Sequence, residues 1–177
     1  KWKDYLSKDY KFAKNLALYI KSKGHKLYIL GKSYNHSQAV NFYNELIGKK
    51  NFIYLPRKGY SYNYLDESEH VFGTTSTMLY EAASRGNKVG IFSIKSKMKK
   101  FTNTKFGWPV RVQNRGQFWT NNGSYKEIDR IFNYLTNISN DEWQKIVRSK
   151  FNKILKYDMD NSKFKKFSKK INLPIKK

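Results

Sequence analysis

The chain has 177 residues and a formal net charge of +23, from 36 Lys and Arg against 13 Asp and Glu. Its length suits one domain with a real core, and its aromatic content of 17% is too high for a disordered chain. It has no cysteine and three scattered histidines, His25, His36 and His70, so disulfides and thiolate chemistry are excluded and no metal site is expected.

The positive charge by itself points to an anionic partner. It runs along the whole chain, however, and is densest at "KSKMKK" and "KFKKFSKK". Lys, Asn, Tyr, Phe and Ile are abundant together, as AT-rich codons would make them, so coding bias accounts for the lysines as readily as function does. No apolar run approaches the length of a membrane span. The start, "KWKDYLSKDYKF", lacks the apolar region of a signal peptide, and it opens on Lys rather than Met, as a piece of a longer protein would.

In chain order, Asp9 to Lys23 reads as an amphipathic helix, with Phe12, Leu16, Tyr19 and Ile20 at helical spacing and Gly24 as its C-cap. "KLYIL" is a buried strand. "SQAVNFYNELIG" is a second helix, with Ala39, Phe42, Tyr43 and Leu46 on one face. "NFIYLP" is a second strand, stopped by Pro56. "SYNYLDES" is a short helix, "HVFG" a third strand, "STMLYEAASRG" a helix closed by Gly86, and "KVGIFS" a fourth strand.

This alternation predicts an α/β fold: a Rossmann-like parallel sheet with helices on both faces and its ligand edge at the strand C-termini. Residues 94–123 carry no clear period and read as an irregular loop region of functional or mobile character. Residues 124–171 supply C-terminal helices. The first runs from Tyr125 to Leu135 on Ile128, Ile131, Phe132 and Leu135. The second runs from Asp141 to Tyr157, with Trp143, Ile146, Val147, Phe151, Ile154 and Leu155 inward and Ser139 or Asn140 as cap. No linker divides the chain, so 1–177 reads as a single domain.

The stretch "HVFGTTSTMLYEAASRG" carries the candidate chemistry. A glycine and four hydroxyl residues join the third strand to a helix. The helix start offers unpaired N–H groups and partial positive charge. Gly73 lets the backbone approach a ligand closely, and Thr75, Ser76 and Thr77 add donors, which together make a seat for phosphate. An ordinary N-cap at Thr75 or Ser76 would use the same residues. Glu81 stands too far along for a capping box. It shares a helix face with Thr77, where a carboxylate can accept both hydroxyls of a ribose; the alternative is a surface pair with Arg85. Arg57 and Lys58 emerge at the same edge, where two cations suit a pyrophosphate, although in so basic a chain they need mean nothing.

The segment "STMLYEAASRGNKVGIFS" resembles the donor-nucleotide half of GT-B glycosyltransferases, in which a Ser/Thr-rich turn holds phosphate and a Glu on the next helix holds ribose. The series "YLPRKG", "STMLYEAASRG", "FGWP", "FWTNN", "ISNDEW" and "YDMDN", in that order, resembles the C-terminal part of the bacterial surface carbohydrate biosynthesis proteins found in leptospires. The likeness spans residues 15–170. It implies one half of a GT-B fold that binds a nucleotide-activated sugar for surface polysaccharide or lipopolysaccharide synthesis, with a glycan or lipid-linked acceptor. The place of work would be the cytoplasm, peripheral to the inner membrane. It also gives the loop a role: Trp108 and Trp119 would stack on base or sugar, and Arg111 and Arg115 would meet the donor phosphates, unless both Trp residues simply anchor the loop to the core.

No cofactor or metal is implied. The acceptor site and catalytic base of such enzymes sit in an N-terminal half that is not visible here, and no catalytic residue stands out. Asp66, Glu67 and Glu69 read as solvated. In this half the work would be electrostatic: Arg57, Lys58, Ser76, Thr77 and the helix-start N–H groups would neutralise the leaving phosphate. Two other readings remain. A nucleotide-sugar 2-epimerase shares the fold and a similar turn. A basic module for nucleic acid or an anionic membrane has the charge but no nucleic-acid motif, so nucleic acid is the less expected partner. The tail is the best local case for a membrane, with Phe164, Phe167 and Ile171 on one helical face among lysines. Closure of the core by those three residues is the preferred expectation.

Overall fold

The structure is a computed structural model. It describes residues 2–31, 35–55, 61–108, 112–151, 154, 155, 158 and 161–171. The elements run in order as α1 (Trp2–Ser22), β1 (Tyr28–Leu30), α2 (His36–Ile47), β2 (Ile53–Leu55), α3 (Ser61–Asp66), β3 (His70–Gly73), α4 (Met78–Arg85) and β4 (Lys88–Phe92). A 3-10 turn (Lys99–Thr104), β5 (Trp119–Thr120), α5 (Tyr125–Asn137), α6 (Asn140–Ile146), a π-helical turn (Val147–Phe151) and α7 (Ser162–Lys170) complete it.

The strands are all parallel, as the βα alternation requires, and the protein is α/β and Rossmann-like. They do not form one ladder. β1 pairs with β2, and β3–β4–β5 form a second sheet. A cleft of about 740 Å³ runs along the seam between β1 and β3. The expected Rossmann-like parallel sheet is thus present in two parts. β1 and β2 are three residues each and only half-buried, so they bring little apolar surface to hold a wider ladder.

The core lies under the second sheet. β4 is buried from Val89 to Phe92, covered by α4 on Leu79, Ala82 and Ala83 and by α5 on Ile128, Ile131, Phe132 and Leu135. Each large apolar side chain buried in this way stabilises the fold by about 1.5–3 kcal/mol. Gly90 permits the close approach: a Cβ there would stand 2.5 Å from the Phe72 ring and 3.0 Å from Ile131. α1 buries Phe12, Leu16, Tyr19 and Ile20 as their spacing predicts, and extends back to Trp2. The Tyr19 hydroxyl donates to Asp129 at 2.8 Å, which ties α1 to α5.

The 94–123 region proves less irregular than expected. It holds the 3-10 turn and a fifth strand, with Ile91 paired to Trp119 and Phe92 to Thr120. α6 starts on a capping box: Ser139 Oγ accepts from Glu142 N, and Glu142 returns a bond to Ser139 N, both at 3.2 Å. It is shorter than expected, because its ladder loosens to i→i+5 bonding over Val147–Phe151. Trp143, Val147 and Phe151 are buried there, while Ile154 is exposed.

Closure of the core by the tail is also corrected. Phe164, Phe167 and Ile171 are 60%, 56% and 47% exposed. In α7 only Ser168 is buried, and the apolar arc is exposed.

Candidate functional site

β3 ends at Gly73, and the chain turns through Thr74–Thr77 into α4. Thr75, Ser76 and Thr77 are exposed. Ser76 Oγ accepts from Met78 N at 3.2 Å, so one hydroxyl does cap the helix. Thr77, at the formal N-cap position, makes no side-chain cap bond. The backbone N–H groups of Thr75, Ser76 and Thr77, and the hydroxyls of Thr75 and Thr77, have no partner among the described residues. The turn therefore keeps unspent donors at a helix N-terminus, which is the electrostatic requirement for an anion seat. Gly73 faces Leu79, whose methyl groups would lie 3.2–3.3 Å from a Cβ at that position.

Gly73 and Ser76 line the cleft between the sheets. In open α/β sheets ligands enter where neighbouring strands diverge, at the C-terminal ends. The interior is largely apolar, lined by Leu16, Ile20, Leu30, Phe72 and Leu79 among others. At its far end sits His70, a residue that sequence reasoning dismissed as a metal ligand and did not otherwise use. Its side chain is buried, stacked on Phe72 and packed on Phe132, and its Nε2 has no hydrogen-bond partner among the described residues. Burial holds its imidazole below the ordinary value, which keeps it neutral.

Glu81 does not line this cleft. Its carboxylate turns toward α3, where Tyr62 donates to Oε2 at 2.6 Å. The Tyr62 phenol is pushed up by that bond. Arg85 packs its guanidinium 5.2 Å from the Tyr62 ring centroid and pairs with Asp66, donating from Nε at 2.9 Å and from Nη2. Asp66 is therefore not merely solvated, and Arg85 turns to α3 instead of making the surface pair with Glu81. The carboxyl of Asp66 is lowered by the Arg85 bond. Sequence reasoning missed Tyr62, because a bond spanning nineteen positions leaves no local signal.

The loop residues separate. Gly107 N donates to the Tyr80 hydroxyl at 3.2 Å, and Phe106 stacks on the Tyr80 ring. This brings the 106–108 segment against the first turn of α4 and leaves Trp108 58% exposed beside it. Trp119 is built into the core edge: its ring lies 4.9 Å from Phe106 and 4.8 Å from Phe118, and its Nε1 donates to the Gln113 carbonyl at 2.9 Å. That is the anchoring alternative. Arg115 donates to Glu127 at 3.0–3.2 Å and shares it with Arg130. Burial opposes the charge on Glu127, but the bonds from Arg130, Arg115 and Thr120 outweigh it and hold the carboxyl at about 2. Arg57, Lys58 and Arg111 lie outside the described residues. Among the described residues no group of three or more His, Asp or Glu converges, and no helix is long and apolar enough to cross a membrane.

Parallel strands alternating with helices, with the hydroxyl turn at the C-terminal end of β3 beside a cleft between two sheets, define a Rossmann-like α/β protein. The chain belongs to the family described as "putative O-antigen biosynthesis protein", whose model matches residues 1–172. That membership places it among proteins of surface carbohydrate biosynthesis. No curated protein and no solved structure matches it.

Proposed function

We propose that this domain binds a nucleotide-activated sugar and serves as the donor half of a glycosyltransferase in surface polysaccharide synthesis. The observation that carries the reading is the turn after Gly73, where the N–H groups of Thr75, Ser76 and Thr77 and the hydroxyls of Thr75 and Thr77 have no partner among the described residues, beside a cleft that Gly73 and Ser76 line. The donor diphosphate sits on that turn, with Arg57 and Lys58 following β2 in the chain as further cations. Glu81 receives the ribose one helical turn on, with Tyr62 holding one carboxylate oxygen and the other left for a hydroxyl. Trp108, exposed beside the same helix turn, is the stacking candidate for the base. Family membership supplies the glycan context. The domain's contribution to transfer is charge stabilisation of the departing nucleotide, and the acceptor and catalytic base are supplied by another half. The work is done in the cytoplasm.

Calorimetric titration with UDP, CMP and GDP tests this. One nucleotide is expected to bind saturably. Glu81→Ala is expected to weaken it roughly tenfold to a hundredfold, as loss of hydrogen bonds to a charged group does. Unchanged affinity in the variant removes Glu81 from the site, and no binding of any nucleotide overturns the donor reading.

A further inference from the structure

α7 is the one described helix whose apolar arc faces solvent. Phe164, Phe167 and Ile171 recur at i, i+3 and i+7, so they share a face, and each is about half exposed or more. Five lysines, Lys163, Lys165, Lys166, Lys169 and Lys170, share the rest of the helix with Ser162 and Ser168, and the helix has no acidic residue. Among the described residues no carboxylate lies within 4 Å of any of their ammonium groups.

The helix is preformed. Asp158 caps it, accepting from Ser162 Oγ at 3.0 Å and from Lys163 N at 2.8 Å. Ser168 is fully buried, while Phe164, Phe167 and Ile171 stay exposed. An isolated helix of nine residues is marginal in water, so the Asp158 cap matters. A helix already ordered pays little to dock.

We propose that this face of α7 docks the protein on an anionic phospholipid surface, with Phe164, Phe167 and Ile171 entering the acyl boundary and the lysines meeting the headgroups. Charge complementarity selects the occupant. Polybasic residues gain about 1 kcal/mol each at an anionic leaflet, and a neighbouring apolar arc is rewarded by lipid and not by a phosphate backbone alone. The inference stands apart from the nucleotide reading, since α7 contributes no residue to the cleft lining.

Co-sedimentation of the whole chain with vesicles tests it. Equimolar phosphatidylcholine and phosphatidylglycerol are expected to retain the protein, phosphatidylcholine alone is not, and raised salt is expected to weaken retention. Phe164→Ser with Phe167→Ser is expected to reduce retention on the order of tenfold. Both side chains are exposed, so thermal unfolding should be unchanged. Lys166→Glu with Lys170→Glu should reduce it comparably without touching the arc. No preference for anionic vesicles, or equal retention of the Phe variant, overturns the proposal. Single-stranded DNA binding that survives the Phe changes, without vesicle binding, assigns the charge to nucleic acid instead.

Discussion

Replacing Glu127 by glutamine is expected to cost about 3 kcal/mol at neutral pH, and the cost is expected to vanish in acid. The carboxylate is buried, with 9% of its side chain exposed, and it receives Arg130 at 2.8 Å and Arg115 at 3.0 Å. Arg130 also donates to the carbonyls of Gly116 at 2.8 Å and Gln117 at 3.0 Å, so Glu127 holds the fork that staples the β5 loop to α5. The sign follows from the titration. The carboxyl ionises near 2 when folded, against an ordinary 4.5. The stabilisation is therefore complete above 4.5 and is lost as pH falls toward 2. A carboxyl so displaced contributes about 3 kcal/mol. Urea unfolding of wild type and Glu127→Gln across that window reads the difference directly, and a gap independent of pH would refute the account. Arg130→Ala should resemble the Glu127 variant. Arg115→Ala should do much less, because its side chain is 60% exposed and the pair is screened by water.

Trp143→Ala is expected to cost about 3–5 kcal/mol, the loss typical of a fully buried large aromatic. The ring packs on Phe118 and Phe151, and its Nε1 donates to the Asn87 carbonyl at 2.8 Å. Asn87 follows Gly86, the left-handed cap of α4, so this one indole fixes the far end of the helix whose start carries the hydroxyl turn. Trp143→Phe keeps the stacking and strands the carbonyl, for about 1–3 kcal/mol. The denaturant midpoint should fall in that order at unchanged slope. Equal stability of the alanine variant would show that the site collapses around the missing ring.

Much of the architecture is legible because its signals are local. The four longer strands, the helices between them and the inward face of α5 follow from period and from Gly caps, and His70–Gly73 lies where "HVFG" places it. What escapes is set by distance or brevity. β5 has two residues, too few for any alternation to register. Nothing along the chain marks the split between β1 and β3, because edge pairing depends on how much each strand buries. The Glu127–Arg130 spacing is readable as a helical pair, but Arg115 joins it only through the fold. At the candidate site the hydroxyl turn and Glu81 stand out by composition. The Tyr62 contact and the neutral His70 depend on packing and do not.

The break between the two sheets sets a thermodynamic condition on any ligand held between them. No backbone ladder joins β1 to β3, so the β1–α2–β2 unit leans on side-chain packing, and Ile47 is the one buried side chain among its described residues. Its opening free energy therefore lies below that of β3–β4–β5, which carries the core. A molecule spanning the seam must order the weaker unit against the stronger one, and part of its binding energy goes into that ordering. Affinity here is thus a property of the seam as much as of the turn. Anything that braces β1 against β3 tightens the binding of such a ligand without touching it.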